Sequence, residues 1–146
     1  MDQNHRRRMT TAALLAAVAA AATDIAYLVL IVSQGATPPQ PGIVPFVIGY
    51  IAAIATAALI GMWTALIGRP SAAKAVFLAA AAGSAALGFI GIFSVGLPLL
   101  ITGALLSLAA QNVPSMAHPN PWLWPVSGAI MAIVVLIAGF VVAGGF

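Results

Sequence analysis

The stretch Met9–Val32, MTTAALLAAVAAAATDIAYLVLIV, carries a single charged side chain, Asp24, inside a run that is otherwise apolar or weakly polar. About 20 such residues, coiled as a helix, cross the ~30 Å hydrocarbon core of a bilayer. Closed barrels also satisfy the backbone in lipid, but their strands alternate apolar and polar residues, whereas Ala12 to Ala22 is continuously apolar. The segment therefore reads as a transmembrane helix. The basic residues before it resemble a secretory leader, but the apolar run exceeds the ~7–15 residues of a leader core and no clear small-x-small cleavage site precedes a soluble domain, so it is kept as the first span.

Working outward, the same composition recurs along the chain. Of 146 residues, 63% are hydrophobic and 5% charged, against about a quarter charged in ordinary soluble domains. The expected fold is all-α: one polytopic transmembrane bundle over residues 1–146, with spans near 10–33, 43–67, 73–93, 97–111 and 121–143. Thr10 or Thr11 is placed to cap the first span. The loop 34–42, rich in proline and glycine, ends it. Residues 75–111 as one rod would measure roughly 55 Å, so a break is expected at Ser94-Val95-Gly96-Leu97-Pro98. The fourth span is short, which leaves four crossings as the alternative to five. Trp63, Trp122 and Trp124 suit the headgroup interface.

The cations are Arg6, Arg7, Arg8, Arg69 and Lys74, and the 34–42 loop has none. The positive-inside rule then puts the amino-terminal end and the 68–74 loop in the cytoplasm of a multi-pass protein of the bacterial inner, or plasma, membrane. Three arginines abutting an apolar run do not make the basic face that a nucleic-acid partner needs. Arg69 and Lys74 are expected to snorkel to headgroups.

Lipid is as apolar as leucine, so helices in it associate through small residues and a few hydrogen bonds. Four-residue spacings of small residues mark candidate packing faces: Ala12, Ala16, Ala20 and then Asp24 on the first span, and Gly49, Ala53, Ala57 and Gly61 on the second. Ala80-Ser84-Gly88 and Gly103-Ser107-Gln111 repeat the device. Counting rise per residue from the shared loop brings Asp24 and Tyr50 to similar depth. The expectation is a polar site in which the Tyr50 hydroxyl, with Thr23 or Thr56, holds the Asp24 carboxyl. An intramembrane acid is a functional-site hypothesis by default. Asp24 reads either as a proton- or cation-binding group or as a neutral acid tied to a neighbouring helix, and its isolation from other ionisable groups favours the latter.

Other chemistry finds little support. Cysteine is absent. His5 and His118 lie outside the spans without clustering with carboxylates, so neither a metal site nor haem ligation is expected. No nucleophile elbow, phosphate-binding loop or dinucleotide fingerprint occurs, and no cofactor is implied.

The Ala/Gly-dominated spans, Asp24-Ile25-Ala26-Tyr27 and the stretch Gly88 to Leu100, GFIGIFSVGLPLL, resemble uncharacterised small membrane proteins of high-GC actinobacteria. That resemblance implies a plasma-membrane location and carries no functional residues across. The expected role is non-enzymatic: helix association among lipids, as an accessory or assembly subunit of another membrane protein or as a homo-oligomer. The alternative is a small transporter or channel built on Asp24. Because the chain has no cysteine, single-cysteine variants report topology directly. Thr37→Cys should react with an impermeant maleimide on intact cells and Ser71→Cys only after permeabilisation.

Overall fold

A computed structural model describes residues 2–35, 42–91, 96–114 and 123–143. They form five α-helices and, among the described residues, no strand: α1 (Gln3–Gln34), α2 (Ile43–Leu66), α3 (Pro70–Ile90), α4 (Gly96–Gln111) and α5 (Leu123–Val142). Three of them, α1 to α3, are long and apolar enough to cross a membrane. At 16 residues, α4 is about 24 Å long, shorter than a usual span, and α5 carries a further apolar stretch over Val126–Val142.

The boundaries follow local chemistry. Gly35, at φ 58°, closes α1 in the left-handed conformation and donates its N–H to the Val32 carbonyl. Gly68, at φ 81°, turns the chain between α2 and α3, and Pro70 opens α3 where a missing N–H costs nothing. A break separates α3 from α4 as expected, but it comes a few residues before 94–98: α3 stops at Ile90 with Gly91 as its cap, and α4 opens at Gly96, so that Pro98 is already helical, while Ser94 and Val95 lie outside the described residues. Most of the 34–42 and 112–120 loops, Pro121 and Trp122 lie outside them too, as does the side chain of Trp124.

Helix α3 is shifted about three residues from the expected 73–93, and the largest departure is at the start of α1. Residues 2–34 contain neither proline nor glycine, so α1 runs back through the arginines to Gln3 instead of starting at Thr10 or Thr11. Thr10 caps nothing; its hydroxyl donates to the Arg6 carbonyl at 2.7 Å, one turn back.

Helix α1 packs against α2 and α4, and α3 packs against the same two, so the four close into a ring. Short connections make chain neighbours antiparallel. Helix α5 lies outside the ring on α3, touching α2 only slightly. It runs parallel to α3: Gly128 faces Ala75 and Ala79 near the start of α3, whereas Gly139 faces Phe46 near the start of α2.

The ring has a common sequence rule. Buried positions step alternately by four and three: Met9, Ala13, Ala16, Ala20 and Thr23 on α1; Val47, Ile51, Ile54, Ala58 and Gly61 on α2; Ala73, Phe77, Ala80, Ser84 and Leu87 on α3. Leu99, Gly103, Leu106 and Ala110 continue it on α4, and the buried Val113 follows just past its end. A mean step of about 3.5 keeps one narrow seam turned inward, as in coiled coils. Large and small residues interlock along it. A Cβ on Gly61 would stand 2.7 Å from the buried Phe77 ring, and one on Gly88 would stand 2.9 Å from the Gly96 carbonyl oxygen.

This rule corrects the small-residue stripe expected on α2. A strict four-residue step overshoots the 3.6-residue turn by about 40° each time, so Gly49 and Gly61 point roughly 120° apart. Gly61 is buried, Ala57 half-buried, and Gly49 and Ala53 face outward. The same drift leaves Ser107 half-buried and Gln111 exposed on α4, while Ala80, Ser84 and Gly88 all remain buried on α3. Gly61→Val should therefore lower unfolding stability by about 1–3 kcal/mol through overpacking on Phe77. Gly49→Ala, with nothing within 4 Å of the new methyl, should not lower it; denaturant titration in mixed micelles reads both.

Candidate functional site

The acid stands beside the α1 seam. Ala16 and Ala20 are fully buried and Thr23 nearly so, but the seam proceeds from Thr23 toward the half-buried Tyr27, which leaves Asp24 flanking it, neither buried nor fully exposed. One carboxyl oxygen, Oδ1, is shielded from solvent and has no hydrogen-bond partner. A buried acceptor left unsatisfied costs on the order of 1–3 kcal/mol, so among the described residues the chain does not complete the environment of its own carboxyl.

The side chains expected to complete it are engaged elsewhere. Thr23 donates to the Ala19 carbonyl at 2.7 Å and Thr56 to the Ala52 carbonyl at 2.9 Å, each within its own helix. Tyr50 points away from α1, and its hydroxyl donates to the Ala132 carbonyl of α5 at 3.0 Å. The Asp24–Tyr50 pairing read from depth is thus replaced by a Tyr50–α5 contact. Matching depth was a correct constraint that said nothing of azimuth, and azimuth is set by the seam. Tyr50 precedes the seam residue Ile51, which turns it toward α3 and α5 instead of α1.

Glycine makes that direction possible. A Cβ at Gly83 would stand 2.6 Å from the Tyr50 oxygen, so only a bare backbone on α3 lets the phenol pass to α5. Phe46, one turn earlier, lies 5.9 Å from the Tyr50 ring and 6.5 Å edge-on from Phe140 of α5. Such ring pairs contribute about 0.5–1.5 kcal/mol beyond area burial. Together with Gly128 against Ala75 and Ala79, they clasp α5 to the ring of four.

Between α2, α3 and α5 lies an open groove of about 330 Å³. Tyr50, Ala53 and Ala57 gather along its α2 wall, facing Ala79 of α3 and Ala132 and Val135 of α5. Its lining is almost wholly apolar. Of the residues singled out from sequence, the structure thus collects Tyr50, Ala53 and Ala57 in one place. Ala16, Ala20, Thr23 and Asp24 stay together on α1, Gly61 sits in the core, and Gly49 and Thr56 face outward.

The sequence reading missed Ala132, Gly83 and the Phe46–Phe140 pair. The available signal was Phe46 and Tyr50 one turn apart on α2, opposite a fifth helix containing Phe140. Among the described residues, no three His, Asp or Glu side chains gather as a metal-binding group. His118 lies outside the described residues, and His5 is exposed in the first turn of α1.

No protein-family model matches this chain, and no significant similarity to a curated protein or a solved structure is found.

Tyr50→Phe removes the donor to Ala132 while keeping the ring, so it should cost about 1 kcal/mol of stability. The Asp24 carboxyl band in infrared difference spectra should stay where it is. A moved band would restore the Asp24–Tyr50 pairing.

Proposed function

We propose that this chain is a non-catalytic integral membrane protein of a bacterial plasma membrane, and that it works by helix association, as a homo-oligomer or as an accessory or assembly subunit. The observation that carries this reading is the double character of α2. Its inward seam, from Val47 to Gly61, is used by the chain itself, while Gly49 and Ala53 present a second smooth strip outward. In lipid a small-residue strip is a place where another backbone can approach closely, and helix association there depends on such approach. The apolar groove beside Ala53 and Ala57 extends the same surface.

Five crossings with a cytoplasmic amino-terminal end fit the architecture. Helix α4 lies antiparallel between α1 and α3, and α5 returns parallel to α3. All five cations then fall at one end of the bundle, as the positive-inside rule requires.

A second reading is favoured by one specific observation, the shielded and unpartnered Oδ1 of Asp24. A small transporter or channel would use that oxygen to hold a proton or cation, with association completing the path.

Size and flux separate the two. In detergent, the double variant Gly49→Leu, Ala53→Leu should shift the protein to a smaller species by light scattering, while Asp24→Asn leaves its size unchanged. In liposomes neither the native chain nor Asp24→Asn should pass protons or alkali cations. Native flux abolished by Asp24→Asn would install the transport reading instead.

A further inference from the structure

At the end of the bundle that carries the arginines, α1 and α4 part to form a cleft of about 740 Å³. Its upper wall is polar and basic: Arg7 and Arg8 from α1 and Asn112 from the end of α4. Its lower wall is apolar: Leu15 from α1, with Leu105 and Leu108 from α4. On α1 the residues Arg8 and Leu15 are seven apart, and so are Leu105 of α4 and Asn112 just past its end, whose N–H still reaches the Leu108 carbonyl, so each side of the cleft presents both characters. The change from cationic or polar to apolar takes two turns, about 10 Å, on both helices at once.

We propose that this cleft binds one anionic phospholipid, its phosphate held by Arg7 and Arg8 and an acyl chain lying along Leu15, Leu105 and Leu108. Four features commit the site to that occupant. The cleft, though open on one side, has a volume within the range of about 300–1,000 Å³ usual for small-ligand sites. The two guanidinium groups offer the forked donors that match phosphate oxygens. The nearest acid in sequence is Asp2, so the arginines outnumber any carboxylate that could neutralise them or receive a choline or ethanolamine cation. Finally, Leu15 and Leu108 are each about half exposed, so the apolar wall opens onto the lipid-facing surface and not onto a closed interior.

A topology signal alone needs only arginines near a helix end. It needs neither a second helix opposite them nor an apolar floor. The lipid site predicts that Arg7 and Arg8 act differently from Arg6, which does not line the cleft and instead borders a neighbouring pocket on α1 with Gln3 and Thr10, one that Arg7 and Thr11 also reach. The proposal rests on membrane embedding but not on helix association. A chain released from membranes by alkaline carbonate would end the first premise, whereas a membrane-retained chain without lipid preference ends this proposal alone.

Native mass spectrometry of the delipidated full chain in detergent, with added phosphatidylglycerol or phosphatidylcholine, provides the test. One phosphatidylglycerol should remain bound per chain at collision energies that strip phosphatidylcholine. The double variant Arg7→Gln, Arg8→Gln should reduce that retention about tenfold or more, since each cation near an anionic surface contributes about a factor of five. Arg6→Gln should reduce it less than about twofold, because its guanidinium does not line the cleft. All three arginines are exposed, so these variants should keep the helicity of the native chain by circular dichroism. Leu108→Ser, on the apolar wall, should weaken retention of the diacyl lipid, and millimolar glycerol phosphate should not displace it. Equal retention of the two lipids would overturn the proposal. So would an Arg6→Gln loss as large as that of the double variant, or displacement of the lipid by glycerol phosphate.

Discussion

Close approach of backbones along four narrow seams is the constraint on which this structure depends. Leucine and isoleucine occur on both the inside and the outside of the bundle, so burial from water cannot decide which face turns inward. In lipid that decision falls to contact density. Individual dispersion contacts are worth only ~0.1–0.2 kcal/mol, and they accumulate only where side chains are small enough to let the main chains meet. Alanine and glycine supply that on the seams, with Phe77 filling the space that Gly61 leaves.

Among the described residues, the hydroxyl groups within the ring do little to bridge its helices. Thr23, Thr56, Ser84, Thr102 and Ser107 each donate to a carbonyl of their own helix, satisfying themselves without bridging to a neighbour. The contrast is α5. It has few buried positions and is clasped from outside by the Tyr50 hydroxyl and the Phe46–Phe140 ring pair. A peripheral helix held at one edge leaves a groove at the other, and the lining of that groove follows from this mode of attachment. Asp24 belongs to neither system. It flanks the α1 seam with one oxygen shielded and unanswered, which makes it the polar feature most open to completion from outside the chain.

Much of this was legible in the sequence, and the limits have a common cause. Span positions were readable because glycine and proline punctuate the chain: α2 begins at the expected residue, and Gly91 and Gly96 bracket the break between α3 and α4. The start of α1 was not, because Thr10 looks like a cap to anyone reading forward from the arginines, while nothing in residues 2–34 stops a helix. Faces were harder than boundaries. A helix that is apolar all round has no polar side to mark its outer face by contrast, so four-residue spacings stood in for that signal and drifted off the seam by Gly49. The alternating step of four and three was present in the same letters. The Asp24–Tyr50 pairing failed for the same reason, since depth along two helices was counted without their rotation.

The seam itself can be measured in a chain that has no cysteine of its own. A Cβ on Gly103 of α4 would stand 3.4 Å from the Ser84 Cβ of α3, close to the ~3.5–4.5 Å of a disulfide. With Ser84→Cys and Gly103→Cys introduced together, mild oxidation in native membranes should form a bridge within one chain, seen as a reducible mobility shift at monomer mass. A pair that stays reduced, or that links only separate chains, would contradict the packing described here.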